Sequence, residues 1–166
     1  MLFKKIFILI FLFMFSTNSF ANTPRSTGKY KNWQSFTAET DQGKICFAQT
    51  SPTKRAPAAV KREKSKLFVT FRPTENIKDE ISITSGHTYK ASTVTAKSGK
   101  RSYSFFSKEN FAWIMDDQEE KKFIRLMKKA TDVIVKARTV KGAETTDHYS
   151  MMGFTKAYNT AKKNCS

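Results

Sequence analysis

The sequence is poor in the residues from which metal sites are built. Its 166 residues include only two cysteines and two histidines. A structural zinc site takes four ligands at a recognisable spacing, whereas Cys46, His87, His148 and Cys165 are scattered along the chain. We therefore predict neither a metal site nor a bound cofactor.

Acidic residues are also scarce. Aspartate and glutamate number 14 against 30 lysines and arginines, which gives a net charge of +16 at neutral pH. Such a surplus attracts anions, and the candidate partners are lipid head groups, acidic glycans and acidic proteins of the cell envelope. The alternative is that the charge serves only solubility.

Long apolar runs are absent except at the N-terminus. Residues 6–15 are apolar, follow two lysines and lead to a small-x-small site that ends at Ala21, as in a secretory signal peptide. Ten such residues cover about 15 Å of helix, too little for the roughly 30 Å of an uncleaved membrane anchor, which is the alternative. We predict that residues 1–21 are removed, leaving residues 22–166 with a net charge of +14, because cleavage deletes those two lysines and no acid.

Export bears on both the compartment and the partner. We expect the protein in the periplasm, with the outer surface or secretion as alternatives. Nucleic acid is disfavoured, because export removes the protein from it and no motif interleaves aromatic with basic residues.

Both cysteines, Cys46 and Cys165, lie in the exported part. An even number of cysteines in an oxidising compartment favours a disulfide, and the alternative is two separate thiols. A bridge would close a loop that takes in most of the exported chain, which is worth up to about 5 kcal/mol in the chain-entropy model.

Alternation of apolar and polar residues predicts many short strands. The clearest are KLFVTFR, residues 66–72, and DVIVKAR, residues 132–138. Further candidates are the segment around Trp33 and residues 43–50, 80–84, 103–106 and 111–115. Turn signals at Ser85-Gly86 and Lys97-Ser98-Gly99-Lys100 separate them. We predict a mainly β fold, an antiparallel β-sandwich or barrel in a single domain over residues 22–166.

Two segments have helical periodicity instead. Residues 117–130 carry acids in the first turn and bases in the last, and Asp117 and Glu120 form a capping-box-like pair. Residues 153–164 form the second predicted helix, which leads to Cys165. The apolar positions are Phe123, Ile124 and Met127 in the first helix, and Phe154, Ala157, Tyr158 and Ala161 in the second.

Residues 51–66 contain two prolines, six basic residues and one acid, which indicates a long loop between strands. We predict that this loop and the hairpin near Gly99 form an anion-binding surface. The predicted contact residues are Lys54, Arg55, Lys61, Arg62, Lys64, Lys66, Lys97, Lys100 and Arg101.

The stretch TTDHYS gathers Asp147, His148 and Ser150, the residue types of a hydrolytic triad. A triad needs the histidine within about 3 Å of both the hydroxyl and the carboxylate. In a strand, His148 and Ser150 would share one side while Asp147 would point to the other. No G-x-S-x-G elbow surrounds any serine. We predict no catalytic residues, and a hydrolase built on this cluster is the alternative.

A set of motifs is spread along the exported chain, beginning with Trp33. The others are GKIC (43–46) followed by a Ser-Pro pair, LFVTFRP (67–73), EISITSGHTYK (80–90), FAWIMD (111–116), KFIRLMKKA (122–130), VIVKARTVKG (133–142) and TTD-x-YS-x-x-GF, which closes on Cys165. Together they resemble the invasion-associated locus B family of exported bacterial proteins. The resemblance implies a periplasmic or surface-associated β-sandwich-like domain and carries over no catalytic residue. His148 departs from the family pattern, in which we expect a threonine or another small polar residue.

We therefore predict a non-enzymatic envelope protein whose basic face binds an anionic partner. Charge would steer the partner in, and the loop and the hairpin would make contact. A periplasmic chaperone or adaptor that holds envelope proteins is a further alternative.

Overall fold

The computed structural model describes residues 23–166. They form an antiparallel, mainly β fold with two short helices, which confirms the predicted fold class. The predicted signal peptide lies outside the described residues. The strands are β1 (Arg25–Tyr30), β2 (Trp33–Thr40), β3 (Gly43–Thr50), β4 (Lys54–Ala56), β5 (Lys66–Arg72), β6 (Ile77–Thr84), β7 (Val94–Ser98), β8 (Arg101–Lys108), β9 (Phe111–Trp113), β10 (Asp132–Arg138) and β11 (Glu144–Ser150), and the helices are α1 (Asp117–Met127) and α2 (Phe154–Asn164).

All of these strands belong to one sheet, in the order β1-β2-β3-β5-β6-β9-β8-β7-β10-β11-β4. Strand β8 joins its two halves, because residues 101–105 pair with β7 and residues 106–108 pair with β9. We call β1, β2, β3, β5, β6 and β9 the first half-sheet. We call β7, β10, β11 and β4 the second half-sheet.

One hydrophobic core is shared by both half-sheets and both helices. The alternation that predicts the strands sends every second side chain inward, where each large apolar side chain stabilises the fold by about 1.5–3 kcal/mol. Fully buried members are Trp33, Leu67, Val69, Ile81 and Ile83 from the first half-sheet, Val94, Val133, Val135 and Tyr149 from the second, and Phe123, Met127 and Phe154 from the helices.

Helix α2 packs on the inner side of the first half-sheet. Phe154 lies against Trp33 with ring centroids 4.8 Å apart, and Tyr158 lies against Phe71 at 5.6 Å. Gly153 precedes the helix with φ = 95°, and a Cβ there would lie 1.8 Å from the carbonyl oxygen of Tyr30, so only glycine fits. The predicted disulfide between Cys46 in β3 and Cys165 after α2 is confirmed.

Helix α1 differs in detail from the prediction. Its N-cap is Asp116 rather than Asp117, since the Asp116 carboxylate accepts the N–H of Glu119 at 2.8 Å. The helix ends at Met127, and residues 128 and 129 form a turn.

Three strands of the structure are not among those that the alternation predicts. Strand β4 lies inside the predicted loop 51–66, and β1 and β7 have no clear apolar alternation. Pairing with a neighbour creates each of them: β4 with β11, β1 with β2, and β7 with β8 and β10. Strand β9 ends at Trp113, two residues before the predicted end.

Candidate functional site

The adjacent basic residues Lys54 and Arg55 of strand β4 point to opposite sides of the sheet. The register of β4 places Lys54 opposite His148 and Arg55 opposite Asp147 in β11. Because side chains alternate along a strand, Arg55 shares the inner side with buried Asp147. Lys54 shares the outer side with His148, and its side chain is exposed.

A buried ion pair holds the loop that follows β4. Arg62 Nη1 donates to Asp147 Oδ2 at 2.8 Å, and Nη2 lies 2.7 Å from Oδ1. The Arg62 and Asp147 side chains are 3% and 1% exposed, and Arg55 Nε lies 3.8 Å from the same carboxylate. Arg62 also donates to the carbonyl oxygens of Ser85 and Ala56. The predicted role of Arg62 in binding an external anion is therefore wrong, because its guanidinium group is buried against an internal carboxylate.

The three triad-type residues of β11, Asp147, His148 and Ser150, lie on two different sides of that strand. Asp147 and Tyr149 are buried, whereas His148 and Ser150 are half-buried on the opposite side. The Asp147 carboxylate binds Arg62, and Ser150 Oγ accepts the N–H of Met152 at 3.2 Å. Asp147 and His148 thus point apart, as the alternation predicts, and Asp147 does not orient the imidazole.

The outer side of the second half-sheet brings loop and hairpin cations together. One row of opposed residues runs from Lys54 through His148 and Ile134 to Lys97 and Ser102. Three strand spacings separate Lys54 from Lys97, about 14 Å. Two predicted contact residues that are distant in sequence therefore lie on one surface.

A second row adds a cation that the sequence analysis did not single out. Lys136 in β10 lies opposite Thr146 on one side and Thr95 on the other. It is exposed and points outward, since Val135 and Ala137 on either side of it are buried. We call Lys54, Lys97, Lys136 and His148 the basic face.

A shallow depression lies beside Lys136. It has a volume of about 200 Å³ and is lined by Thr93, Thr95, Lys136, Ala137, Arg138, Glu144, Thr145 and Thr146. Arg138 Nη2 donates to Glu144 at 2.6 Å, so its charge is already paired. Lysine ammonium groups and threonine hydroxyls together supply donors for a carboxylate or phosphate.

The remaining predicted contact residues lie outside the basic face. Lys61 and Lys64 are exposed on the loop, and Lys100 and Arg101 are exposed at the turn between β7 and β8. Lys66 begins β5 in the first half-sheet, and burial, together with the charge of Lys64, lowers the pKa of its ammonium group.

A separate cavity has an acidic lining, unlike the basic face. It has a volume of about 540 Å³ and is lined by Asn76, Ile77, Lys78, Asp79, Glu80, Trp113, Ile114, Met115, Asp117, Glu120 and Lys121. Because β9 ends at Trp113, the N–H of Ile81 in β6 finds no strand partner there, and Glu120 Oε1 accepts it at 2.6 Å. Burial raises the pKa of Glu120 to about 7, with smaller contributions from Glu80, Asp117 and Asp79.

The sequence analysis missed the role of Glu120, which it took for part of a capping box. A signal was present, since Glu120 precedes Phe123 by three residues and Ile124 by four and so lies on the apolar side of α1. Nearby, Tyr158 donates to Asp79 Oδ1 at 2.5 Å, and Lys128 Nζ lies 4.0 Å from the Tyr158 ring centroid. These contacts join α1, α2 and β6.

Comparison of the chain with protein-family models, with curated proteins and with solved structures finds no match. The resemblance to the invasion-associated locus B family therefore stays a prediction from sequence motifs. Within residues 23–166, neither helix has the length and hydropathy to span a bilayer. The same residues contain no group of three or more histidine, cysteine, aspartate or glutamate side chains placed to hold a metal ion.

Proposed function

We propose that this chain is an exported envelope protein of the invasion-associated locus B type that binds an anionic partner, without catalysis, through its basic face. The observation that carries the proposal is the row that places Lys54 and Lys97 on one outer surface, with Lys136 beside them. The ligand groups would be phosphates or carboxylates, which ammonium groups attract at long range and bind at contact.

The buried ion pair supports this function indirectly. Arg62 and Asp147 fasten the loop between β4 and β5 to β11, and β4 itself has only three residues. With the loop held, Lys54 stays in register with His148. The backbone of Lys54 therefore has a fixed position, which lowers the entropy lost when a partner binds.

The disulfide supports the proposed compartment. Cys46 and Cys165 are joined, and the described residues contain no free cysteine. Disulfides persist in oxidising compartments such as the periplasm. Fractionation of cells that produce the full chain with a C-terminal tag tests this, and tagged protein that stays in the cytoplasm would contradict it.

The test of partner binding replaces the three lysines of the basic face. A K54Q/K97Q/K136Q variant should bind vesicles containing phosphatidylglycerol, or an acidic polysaccharide, on the order of 100-fold more weakly in low salt, at about 1 kcal/mol per charge. The matched control K29Q/K44Q/K156Q removes the same charge from exposed lysines outside this face and should lose far less.

Separate arms identify the source of the anion. Vesicles, acidic polysaccharide and an acidic protein are tested in parallel, and binding should weaken as salt is raised. If the two triple variants lose the same affinity, binding depends on total charge and not on the basic face. Affinity that is unchanged by salt would contradict the proposal outright.

A further inference from the structure

The depression beside Lys136 lies where two paired strands separate. Pairing between β7 and β10 ends with Thr95 opposite Lys136. Beyond this point Lys90 takes the place of β7, because its N–H donates to the carbonyl oxygen of Arg138 at 2.8 Å. The depression of about 200 Å³ lies at this change of partner.

The threonines that line the depression differ in how their hydroxyls are used. Thr93 Oγ1 accepts a backbone N–H of β10 at 3.1 Å, and Thr145 Oγ1 lies 2.9 Å from His87 Nε2. The hydroxyls of Thr95 and Thr146 have no hydrogen-bond partner within residues 23–166, and both side chains are half-buried on the outer side. Two hydroxyl donors are therefore left for a ligand.

These two hydroxyls flank Lys136. Thr95 and Thr146 lie directly opposite it on the neighbouring strands, each at a backbone distance of about 4.8 Å. All three side chains point outward, because the residues on either side of each are buried. A threonine hydroxyl stays close to the sheet, whereas a lysine ammonium group extends on four carbons. The three donors thus approach one small volume from different directions.

The surroundings of the depression are basic. Lys97 lies in the neighbouring row on the same side, and Lys90 is exposed beside the depression. Glu144 is an acid of the lining, but Arg138 Nη2 donates to it at 2.6 Å. Asp132 lies at the opposite end of β10. An anion in the depression therefore meets a net positive charge.

The donors match a phosphate group better than a carboxylate. A carboxylate is planar with two oxygens, and its best partner is the planar fork of an arginine. Arg138 is already paired with Glu144. A phosphomonoester has three acceptor oxygens that point in different directions, and lysine binds phosphate as a point charge. Lys136, Thr95 and Thr146 supply one donor group for each of these oxygens.

We propose that the depression binds the terminal phosphate of a phosphomonoester, with the Lys136 ammonium group above it and the hydroxyls of Thr95 and Thr146 below. The proposal rests on the function proposed for the basic face, and it names the anionic group that this part of the face selects. Two sources carry the same chemistry, a lipid head group and a soluble phosphate ester.

Replacement of the two hydroxyls by methyl groups tests the site without a change of charge. T95V/T146V keeps the shape of both side chains, and valine favours strands. It should bind vesicles containing phosphatidic acid, and glycerol phosphate in calorimetry, roughly 10-fold more weakly, because both lost hydrogen bonds are to a charged group. Binding to phosphatidylglycerol vesicles and to polygalacturonate should change little, since neither has a terminal phosphate.

Two further measurements locate the effect. The matched control T37V/T155V removes two hydroxyls from β2 and α2 and should bind phosphatidic acid like the unchanged protein. K136Q changes an exposed side chain and keeps the fold. If one phosphate contacts all three side chains, T95V/T146V should weaken binding far less when it is added to K136Q than when it is made alone.

The two phosphomonoester probes identify the source. Weaker binding of both assigns the depression to a phosphate group from either source, whereas an effect on one probe alone assigns it to that source.

Three results would overturn the proposal. The unchanged protein binds neither phosphomonoester; T95V/T146V binds both as well as the unchanged protein does; or it loses as much affinity for phosphatidylglycerol and polygalacturonate. Losses that simply add in the cycle with K136Q would separate the hydroxyls from Lys136 and overturn it too. The function proposed for the basic face fails by a different result, a K54Q/K97Q/K136Q variant that keeps its affinity for phosphatidylglycerol.

Discussion

The two outer sides of the sheet obey the same alternation and yet present opposite chemistry. On the second half-sheet, the outward positions carry Lys54, Lys97, Lys136 and His148. On the first, the outward row from Gln34 to Phe106 has rings and amides, and its one charged member is Lys29 at the β1 end. A net charge of +16 is therefore an average over a surface that is far from uniform.

The two half-sheets also differ in the bond that attaches a neighbouring segment to each of them. In the first, the Cys46–Cys165 bond ties α2 to β3. In the second, the buried pair of Arg62 and Asp147 ties the loop to β11. One fastening is covalent and the other is ionic, and we expect that each can be broken while the other stays intact.

Removal of the disulfide should have the largest effect on stability. The bridge joins positions 119 residues apart, and the chain-entropy model gives about 5 kcal/mol for a loop of this size. We expect the C46S/C165S variant to lose about that much free energy of unfolding, measured by urea denaturation. Hydrogen exchange should accelerate first in α2 and in β1 to β3. Chemical reduction of the unchanged protein is the control. A loss of less than about 1 kcal/mol in free energy of unfolding would contradict the chain-entropy account of this disulfide.

Breaking the buried ion pair should come next. R62M leaves the Asp147 carboxylate buried with only Arg55 at 3.8 Å, and removal of one partner of such a pair costs about 3–5 kcal/mol. Hydrogen exchange should accelerate in β4 and residues 57–65 and change little in α2.

The double variant R62M/D147L sharpens that comparison. It removes both charges together and should recover most of the lost stability, because no uncompensated buried charge remains. If R62M unfolds as readily as the double variant, the unpaired Asp147 carboxylate carries no cost, which would contradict the predicted recovery. Accelerated exchange in α2 for R62M would mean that the half-sheets are not loosened separately.

Glu120 should produce the smallest effect, and one that depends on pH. Burial raises its pKa from 4.5 to about 7, so the folded state holds the proton more tightly than the unfolded chain. Stability from this group is complete below pH 4.5 and is lost as pH rises through about 7. E120Q should flatten this dependence and exceed the unchanged protein at pH 8 by about 1–2 kcal/mol, after allowance for solvent in the cavity.

Urea denaturation between pH 4 and pH 8 measures this difference. The control E119Q changes a neighbouring carboxylate of α1 that does not line the cavity, and it should leave the pH dependence in place. Parallel curves for E120Q and the unchanged protein would contradict the role assigned to Glu120.

The most regular parts of the fold could be predicted from sequence. The segments 43–50, 66–72 and 132–138 coincide with β3, β5 and β10, because alternating apolar side chains have only one way to be buried. The start of α2 was predicted within one residue from its apolar spacing. Strand β4 could not be predicted, since Lys-Arg-Ala contains no alternation and becomes a strand only beside β11.

The candidate sites were predicted less completely than the fold. The sequence analysis grouped Arg62 with the exposed cations, and composition contains nothing to separate it from Lys61 or Lys64. The distinction comes from Asp147, a residue 85 positions away whose buried carboxylate needs a cation. Lys136 and the outward rings of the first half-sheet escaped notice because neighbours across strands are distant in sequence.

The sequence by itself determined the mainly β architecture, the positions of both helices and the presence of two cysteines able to pair. Local periodicity suffices for the strands and helices, since each segment must bury the apolar side of its own repeat. Only the tertiary structure decided which cations face solvent, which acid is buried and which rings share a surface. Those outcomes depend on strand order and register, and register is set by contacts between segments far apart in the chain.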